Sequence, residues 1–401
     1  MRILILSFYY PPDLSAGSFR TAALVNSLLA QLPAHAHIDV ITTQPNRYHA
    51  LAQSVAATER IGCLTIRRIE LPPHRSGMRD QARAFLAYAR GVSRLVGGQS
   101  FDLIFATSSR LFTAALGARL ARKRACPLYL DIRDIFVDTM DNVLPSAAAI
   151  LLHPLLSLIE RYTLRSAQRI NLVSGGFLPY FQSRYPARHF DTFTNGIDEE
   201  FITHAWQAGS PRSQDVPIKV LYAGNIGEGQ GLHKILPQLA QACAQTHQFV
   251  VVGDGGKQAA LANALAQAGV RNVGLHKPVR REELMALYQD ADILFLHLND
   301  YAAFRNVLPS KLFEYAATGK PVLAGVAGYA ADFLVREVAN AAVFAPCDAQ
   351  AGLAALQGLR IGQTDRSGFV TRYRRTAIMH GMANTLLTLA ASHASTAKDA
   401  A

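Results

Sequence analysis

Cysteine is scarce: four residues, at 63, 126, 243 and 347, are spread through 401. With more than fifty residues between neighbours, they offer neither a CxxC pair for zinc or thiol exchange nor a dense disulfide framework. Reduced thiols are the simplest reading. Long apolar runs are absent too, since none reaches the roughly 18 uncharged residues of a membrane-spanning helix. The nearest, 146–159, is interrupted by His153 and Pro154. The apolar start is cut short by Tyr9, Tyr10, Pro11 and Pro12 with no cleavage-type site, so it reads as a first buried strand and not as an export signal.

Acidic residues are the other shortage: 29 Asp or Glu stand against 40 Lys or Arg, a net charge of +11. Residues 60–124 hold 13 of the basic residues but only Glu70, Asp80 and Asp102, which accounts for nearly all the excess. Such a stretch attracts nucleic acid, anionic lipid or a phosphorylated substrate, or is simply a solvated face. Half the residues are apolar and 17% are charged, which excludes disordered and collagen-like chains. No HExxH, nucleophile elbow or P-loop occurs.

What is present is an alternation of short apolar runs with helix-length amphipathic segments, the pattern of parallel sheets crossed by helices. Strands are expected over 2–8, 37–42, 64–70, 102–106, 128–132 and 169–174, with helices over 18–31, 77–96, 111–123, 147–167 and 176–184. The pattern then restarts, with strands over 219–223, 248–253, 271–275, 292–296, 321–325 and 342–345. Helices between them are expected near 231–245, 257–268, 281–289, 310–318 and 329–336. Two doubly wound α/β domains follow: 1–198, a linker at 199–216, and 217–365, with a helical segment at 366–391 and a flexible tail at 392–401. Ligands of such sheets gather at the carboxyl ends of the strands, so two domains facing each other would share one cleft.

The most informative segment is Pro-Ser-Lys-Leu-Phe-Glu-Tyr-Ala-Ala-Thr-Gly-Lys-Pro-Val at 309–322. Ser310 suits the N-cap of a short helix that Gly319 closes. Its free amides and dipole end can hold a diphosphate, helped by Lys311 and by Arg305 just upstream. The two oxygens of Glu314 can take both hydroxyls of a ribose. Alternatively, Glu314 merely suits the dipole and Lys311 is solvated. The loop Gly224-Asn225-Ile226-Gly227 and the turn at Gly253 follow strands, where glycine is often only structural. Asp131, Arg133 and Asp134 end the fifth strand, where carboxylates can orient or deprotonate a hydroxyl and Arg133 can hold a phosphate. Equally, Arg133 and Asp134 neutralise each other. Gly17 stands just before the first helix, a place that also suits a glycine N-cap. Asp290-Ala-Asp292 is a literal DxD, but at the amino end of a strand, so no required metal is expected.

Segment 309–322 strongly resembles the nucleotide-binding signature of family 4 glycosyltransferases, retaining enzymes of the two-lobed GT-B fold. Ser7-Phe-Tyr-Tyr-Pro-Pro leading to Gly17, Thr194-Asn-Gly-Ile-Asp198, Tyr222-Ala-Gly-Asn-Ile-Gly227 and Val252-Gly-Asp-Gly255 fall in the family's order, so the resemblance spans the chain. It is most similar to the subgroup that builds bacterial O-antigen, capsule or exopolysaccharide, such as fucosamine transferases. The resemblance implies a donor, UDP-linked by expectation, held by Gly224, Asn225, Gly227, Gly253, Arg305, Ser310, Lys311 and Glu314. It also implies a lipid-linked sugar acceptor approached by Gly17, with Asp131, Arg133 and Asp134 near the reacting atoms. No cofactor is expected.

Two departures concern the donor. Asn306 stands where the family usually carries the first of two glutamates, and Asn225 and Gln230 stand where many members have an arginine and a lysine for the diphosphate. The charge is then expected from Lys311 and Arg305. Arginines at 75, 79, 83, 90 and 94 alternate with Phe85, Leu86, Tyr88 and Val92, as expected of a helix resting on anionic lipid at the inner face of the cytoplasmic membrane. The rivals are a sugar-nucleotide 2-epimerase of the same fold and a nucleic-acid-binding protein. The second lacks a recognition helix and a stacking motif, so no nucleic acid is expected.

Overall fold

A computed structural model describes the chain apart from residues 14, 34, 46–54, 73–77, 109–110, 138–145, 208–215 and 400–401, with backbone alone at 78–79, 146–151 and 394–399. It divides into two compact units, Met1–Asn195 with Arg375–Ala401, and Gly196–Arg374. The division therefore falls at 195/196 and not at 198. The segment expected to stand apart at 366–391 is split: the helix Ser367–Arg372 stays in the second unit, and Arg375–Asp399 belongs to the first. The expected flexible tail is helical to Asp399. Of the expected linker, 199–203 is the short helix Glu199–Thr203, and 208–215 lie outside the described residues.

In the first unit, β1 (Arg2–Leu6), β2 (His37–Thr43), β3 (Thr58–Ile61), β4 (Leu64–Ile69), β5 (Leu103–Thr107), β6 (Leu128–Ile132), β7 (Arg169–Leu172) and β8 (Phe190–Asp191) form one sheet. Its order is β3-β4-β2-β1-β5-β6-β7-β8, parallel except where β3 pairs with β4. The central strands β1 and β5 read as apolar runs because both faces are covered. Alternate residues Ile3, Ile5, Ile38, Val40, Leu103 and Phe105 share one core with Leu24, Val25 and Leu28 of the helix Ala16–Leu29. Met379, Met382 and Leu386 of the helix Arg375–Asp399 complete that core. On the opposite face, the helix Leu111–Arg124 comes so close that a Cβ on Gly117 would stand 2.6 Å from Ala106 Cβ. Tyr88 and Val92 of the helix Met78–Leu95 are buried, so the apolar stripe expected to meet lipid packs inward, and Leu86 is the member left exposed. Of the arginines expected beside it, 75 lies outside the described residues.

The second unit has six parallel strands, β9 (Ile218–Asn225), β10 (His247–Asp254), β11 (Val273–His276), β12 (Ile293–His297), β13 (Val322–Gly325) and β14 (Ala341–Phe344). Their order is β11-β10-β9-β12-β13-β14. Strand order thus reverses between β9 and β12, as it does between β1 and β5 in the first unit, and a crevice opens outside the carboxyl ends at such a point. β9 pairs with β10 along its whole length to Asn225, but with β12 only at Val220 and Leu221. The two central strands part where the crevice begins. There the Ala223 N–H donates to the Tyr315 hydroxyl at 3.2 Å.

Candidate active site

At the carboxyl end of β9, Gly224 has φ +146°, and a Cβ on it would fall 1.3 Å from Lys311 Nζ. On the next strand, a Cβ on Gly253 would fall 1.7 Å from the Gly224 carbonyl oxygen. Only glycine fits either place. Lys311 opens the seven-residue helix Lys311–Ala317 and lays its ammonium over the Tyr222 ring, 4.8 Å from the centroid. Among the described residues the ammonium has no hydrogen-bond or ion-pair partner. Burial lowers its pKa to about 8, with the Glu314 charge acting the other way.

Glu314, one turn along, is largely buried and held from two sides. Its Oε2 accepts from the Tyr288 hydroxyl at 3.1 Å, and its Oε1 lies 3.8 Å from Arg281 Nη1. Arg281 is fixed in turn by Asp198 at 2.7 Å, by Glu200, and by the Phe201 ring 4.6 Å beneath its guanidinium. Ser310 sits at the expected cap position, but its backbone is already helical and its hydroxyl makes no capping bond. Arg305 is exposed and faces Asp300 at 3.6 Å, and Asn306 ends the 3-10 helix Ala302–Asn306.

The two amides that replace a basic pair bond to each other. Asn225 Nδ2 donates to Gln230 Oε1 at 2.7 Å, and the same oxygen accepts the Gly227 N–H at 3.2 Å. A Cβ on Gly227 would meet Asn225 Nδ2 at 2.5 Å, so the glycine lets the loop close. His297, buried at the end of β12, clamps this loop. Its Nε2 accepts the Cys347 N–H at 3.0 Å, so the proton is on Nδ1, which donates to the Gln230 carbonyl at 2.6 Å. Burial lowers its pKa to about 4, so the ring is neutral at pH 7. Glu228 gathers the Tyr301 hydroxyl at 2.5 Å and Lys257 at 2.8 Å, and these bonds lower its pKa to about 2.

In the first unit, Asp131 is fully enclosed. Arg20 grips it with Nε on Oδ2 and Nη2 on Oδ1, both at 3.0 Å, and Asn171 Nδ2 adds a bond of 2.7 Å to Oδ1. Arg133 donates its backbone N–H to Ser108 Oγ at 2.8 Å and Nη2 to Asn195 Oδ1 at 3.3 Å. Burial lowers its pKa to about 10, with Asp131 acting the other way. Asp134 is exposed. Gly17 lies within the first turn of the helix Ala16–Leu29, whose cap is Ser15, with its Oγ accepting from the Ser18 N–H. The glycine-cap reading is therefore replaced by a serine cap. The literal DxD sits at the start of β12, where Lys219 takes up both carboxylates: its ammonium lies 2.8 Å from Asp290, and its N–H donates to Asp292 at 2.7 Å.

Comparison with known proteins decides what these strand-end groups belong to. A family model described as "Glycosyl transferases group 1" matches residues 207–366, and one described as "Glycosyl transferase 4-like domain" matches 21–196. The chain belongs to the family 4 glycosyltransferases of the GT-B fold.

Relatives of this family 4 glycosyltransferase agree. Over 100 residues it is 35% identical to the Escherichia coli (strain K12) protein that carries the name colanic acid biosynthesis glycosyl transferase WcaI. That match takes in 25% of this chain and 24% of the relative, so only about a quarter of that protein is spanned. The crystal structure of Anabaena HepE in complex with UDP superposes with a TM-score of 0.60 at 16% identity, covering 97% of this chain and 100% of that one. WaaG, a glycosyltransferase involved in lipopolysaccharide biosynthesis, gives 0.62 at 15% identity, covering 97% and 98%. At these identities the two structures speak for the fold alone.

Within the family 4 glycosyltransferase, the structure brings Gly224, Gly253 and Lys311 together, and separately Asn225 with Gly227, and Gly17 with Arg133. Sequence reasoning missed Tyr288, Arg281 and His297. Tyr288 and Arg281 come from the helix Arg281–Asp290, and His297 stands alone at the end of the apolar run Ile293–His297, with no motif around it.

Proposed function

We propose that the protein is a retaining glycosyltransferase that moves a sugar from a UDP-linked donor onto a lipid-carried acceptor during synthesis of a bacterial surface polysaccharide. One observation carries the donor side: an unpaired ammonium, Lys311, lies against two strand-end glycines where strand order reverses, with the anchored carboxylate of Glu314 one turn away. Diphosphate oxygens take the place at Lys311, and the ribose diol takes Glu314. The UDP held by HepE and the WcaI and WaaG names support the substrate class. In the reaction the bond from the anomeric carbon to the diphosphate breaks and the bond to the acceptor hydroxyl forms on the same face. The acceptor proton passes to the leaving oxygen, whose charge Lys311 stabilises.

The test is thermal stabilisation by UDP, with GDP, ADP and inorganic phosphate alongside. A shift specific to UDP and lost in Glu314→Ala supports the assignment, whereas no shift with any nucleotide overturns it.

The acceptor reading includes contact with an anionic membrane. Leu86, Phe112, Leu155 and Leu158 are exposed on the first unit, on the helices Met78–Leu95, Leu111–Arg124 and Ser146–Ser166, and Arg83, Arg90, Arg119, Arg122, Arg161 and Arg165 of these helices are exposed as well. Apolar side chains set among arginines suit a lipid surface. No helix among the described residues is long and apolar enough to cross a membrane. Binding to phosphatidylglycerol vesicles should fall with salt, and salt-independent binding counts against this contact.

A further inference from the structure

We infer that the first unit holds an oxyanion site away from its strand-end crevice: a groove between the helices Leu111–Arg124 and Ser146–Ser166 that binds a phosphate ester through Arg122, Arg161 and Arg165. The inference goes beyond the transferase reading and does not depend on it.

The groove is a cavity of about 570 Å³, within the range of small-molecule sites, about 300–1,000 Å³. Gln168 in its wall accepts the Leu128 N–H with Oε1 at 2.7 Å and donates its own N–H to the Leu128 carbonyl at 3.1 Å, so the groove lies at the amino ends of β6 and β7. The five residues of β6, roughly 16 Å of strand, separate it from the carboxyl ends where Asp131 and Arg133 stand.

Three guanidiniums line this cavity, with no carboxylate among them. Among the described residues, Arg122, Arg161 and Arg165 make no hydrogen bond and no ion pair, and Arg122 instead covers the Tyr162 ring, 5.4 Å from its centroid. The nearest acid along the chain, Glu160, is buried and turned to the Tyr185 hydroxyl, from which its Oε1 accepts at 3.0 Å. A simpler account would have the arginines serve helix ends, and Arg122 and Arg165 do lie in last turns. Two such ends together carry only about one negative charge. Lys123 and Arg124 already share the first of them, and Arg161 stands a turn before the second, so a positive excess is left at the groove.

The shape of that excess selects the ligand. A phosphate monoester offers three oxygens, one for each guanidinium, and planar forks match them better than they match a single carboxylate. Leu158 lines the same cavity and is 62% exposed. It stands about 10 Å along the helix from Arg165, so an apolar stem on the ester would meet it. A contact made by charge alone has no stoichiometry, whereas this groove takes one ligand per chain.

The experiment is calorimetric titration of the full chain with dodecyl phosphate below its micelle concentration, with glycerol 3-phosphate and with dodecanol. Dodecyl phosphate should saturate at one equivalent, and dodecanol should not bind. Arg161→Gln with Arg165→Gln should weaken the ester at least tenfold, whereas Arg83→Gln with Arg90→Gln, which removes the same charge from the helix Met78–Leu95, should change affinity less than twofold. Unchanged melting of the free variants verifies their folding. Glycerol 3-phosphate binding as tightly as dodecyl phosphate assigns the groove to a soluble ester. Binding at least tenfold weaker, with Leu158→Ser weakening dodecyl phosphate alone, assigns it to a lipid headgroup. Equal losses in the two arginine pairs, or equal binding of dodecanol, overturn the site. Loss of ester binding in Lys311→Met gives the anion to the second unit and overturns it as well. No arm uses UDP, so a failure of the donor reading leaves these outcomes intact.

Discussion

The strand ends of the two units use charge in opposite ways. In the first, Asp131 and Arg20 are closed upon one another and upon Asn171 and the carbonyls of Phe193 and Thr194. In the second, Lys311 has no hydrogen-bond or ion-pair partner among the described residues and lies over Gly224 and the Tyr222 ring, and Glu314 is anchored at its rim by Tyr288 and Arg281. A carboxylate at a strand end is therefore not by itself a reactive group. What separates scaffold from site is whether its hydrogen-bonding capacity is already filled.

The sharpest way to break that contrast is Asp131→Ala. It strands a buried guanidinium, and a loss of about 3–5 kcal/mol in urea unfolding is expected. A loss below about 1 kcal/mol would show that the network does not hold the first unit together. Lys311→Met is its counterpart, expected to weaken UDP binding by at least about tenfold while leaving the unfolding midpoint unchanged or higher, because a desolvated cation is removed. Calorimetric titration with UDP reads the first effect and urea unfolding the second.

A pH series sharpens the same point. UDP affinity should fall as pH rises through about 8, where Lys311 loses its proton, and this fall should be absent in Lys311→Arg. Stability of the empty protein moves the other way. Unfolding restores the amine to its ordinary pKa of 10.5, so between about 8 and 10.5 the unfolded chain holds the extra proton, and this group's contribution to stability rises with pH. The smallest effect belongs to Tyr288→Phe, which removes one bond to Glu314 and should cost about 1 kcal/mol of UDP affinity. No change would mean that Arg281 alone orients the carboxylate.

Much of this was legible in the chain. Central strands announce themselves because burial on both faces demands unbroken apolar runs, as in β1 and β12. β3 went unseen because Thr58–Ile61 is a polar, mostly exposed edge with no such run. The helix Ala349–Gln357 was missed as well, its alanines and glutamines showing little periodicity. In the site, the glycines, Lys311 and Glu314 sit in one recognisable order, so they could be read directly. Tyr288 and Arg281 could not, since their relation to Glu314 exists only after β12 and its flanking helices pack. The state of Asp131 was hidden for the same reason: Arg20 is 111 residues away.

The return of the helix Arg375–Asp399 to the first unit has a consequence for how the molecule comes into being. The second unit is one continuous stretch, Gly196–Arg374, and the first is closed by residues that follow it. During synthesis all six strands of the second unit are made before Met379, Met382 and Leu386 exist to complete the core around Ile3, Ile5 and Val40. The half of the protein made first is thus the half finished last, and until the final helix docks, a core that the helix Ala16–Leu29 covers only in part stays open to whatever guards nascent chains.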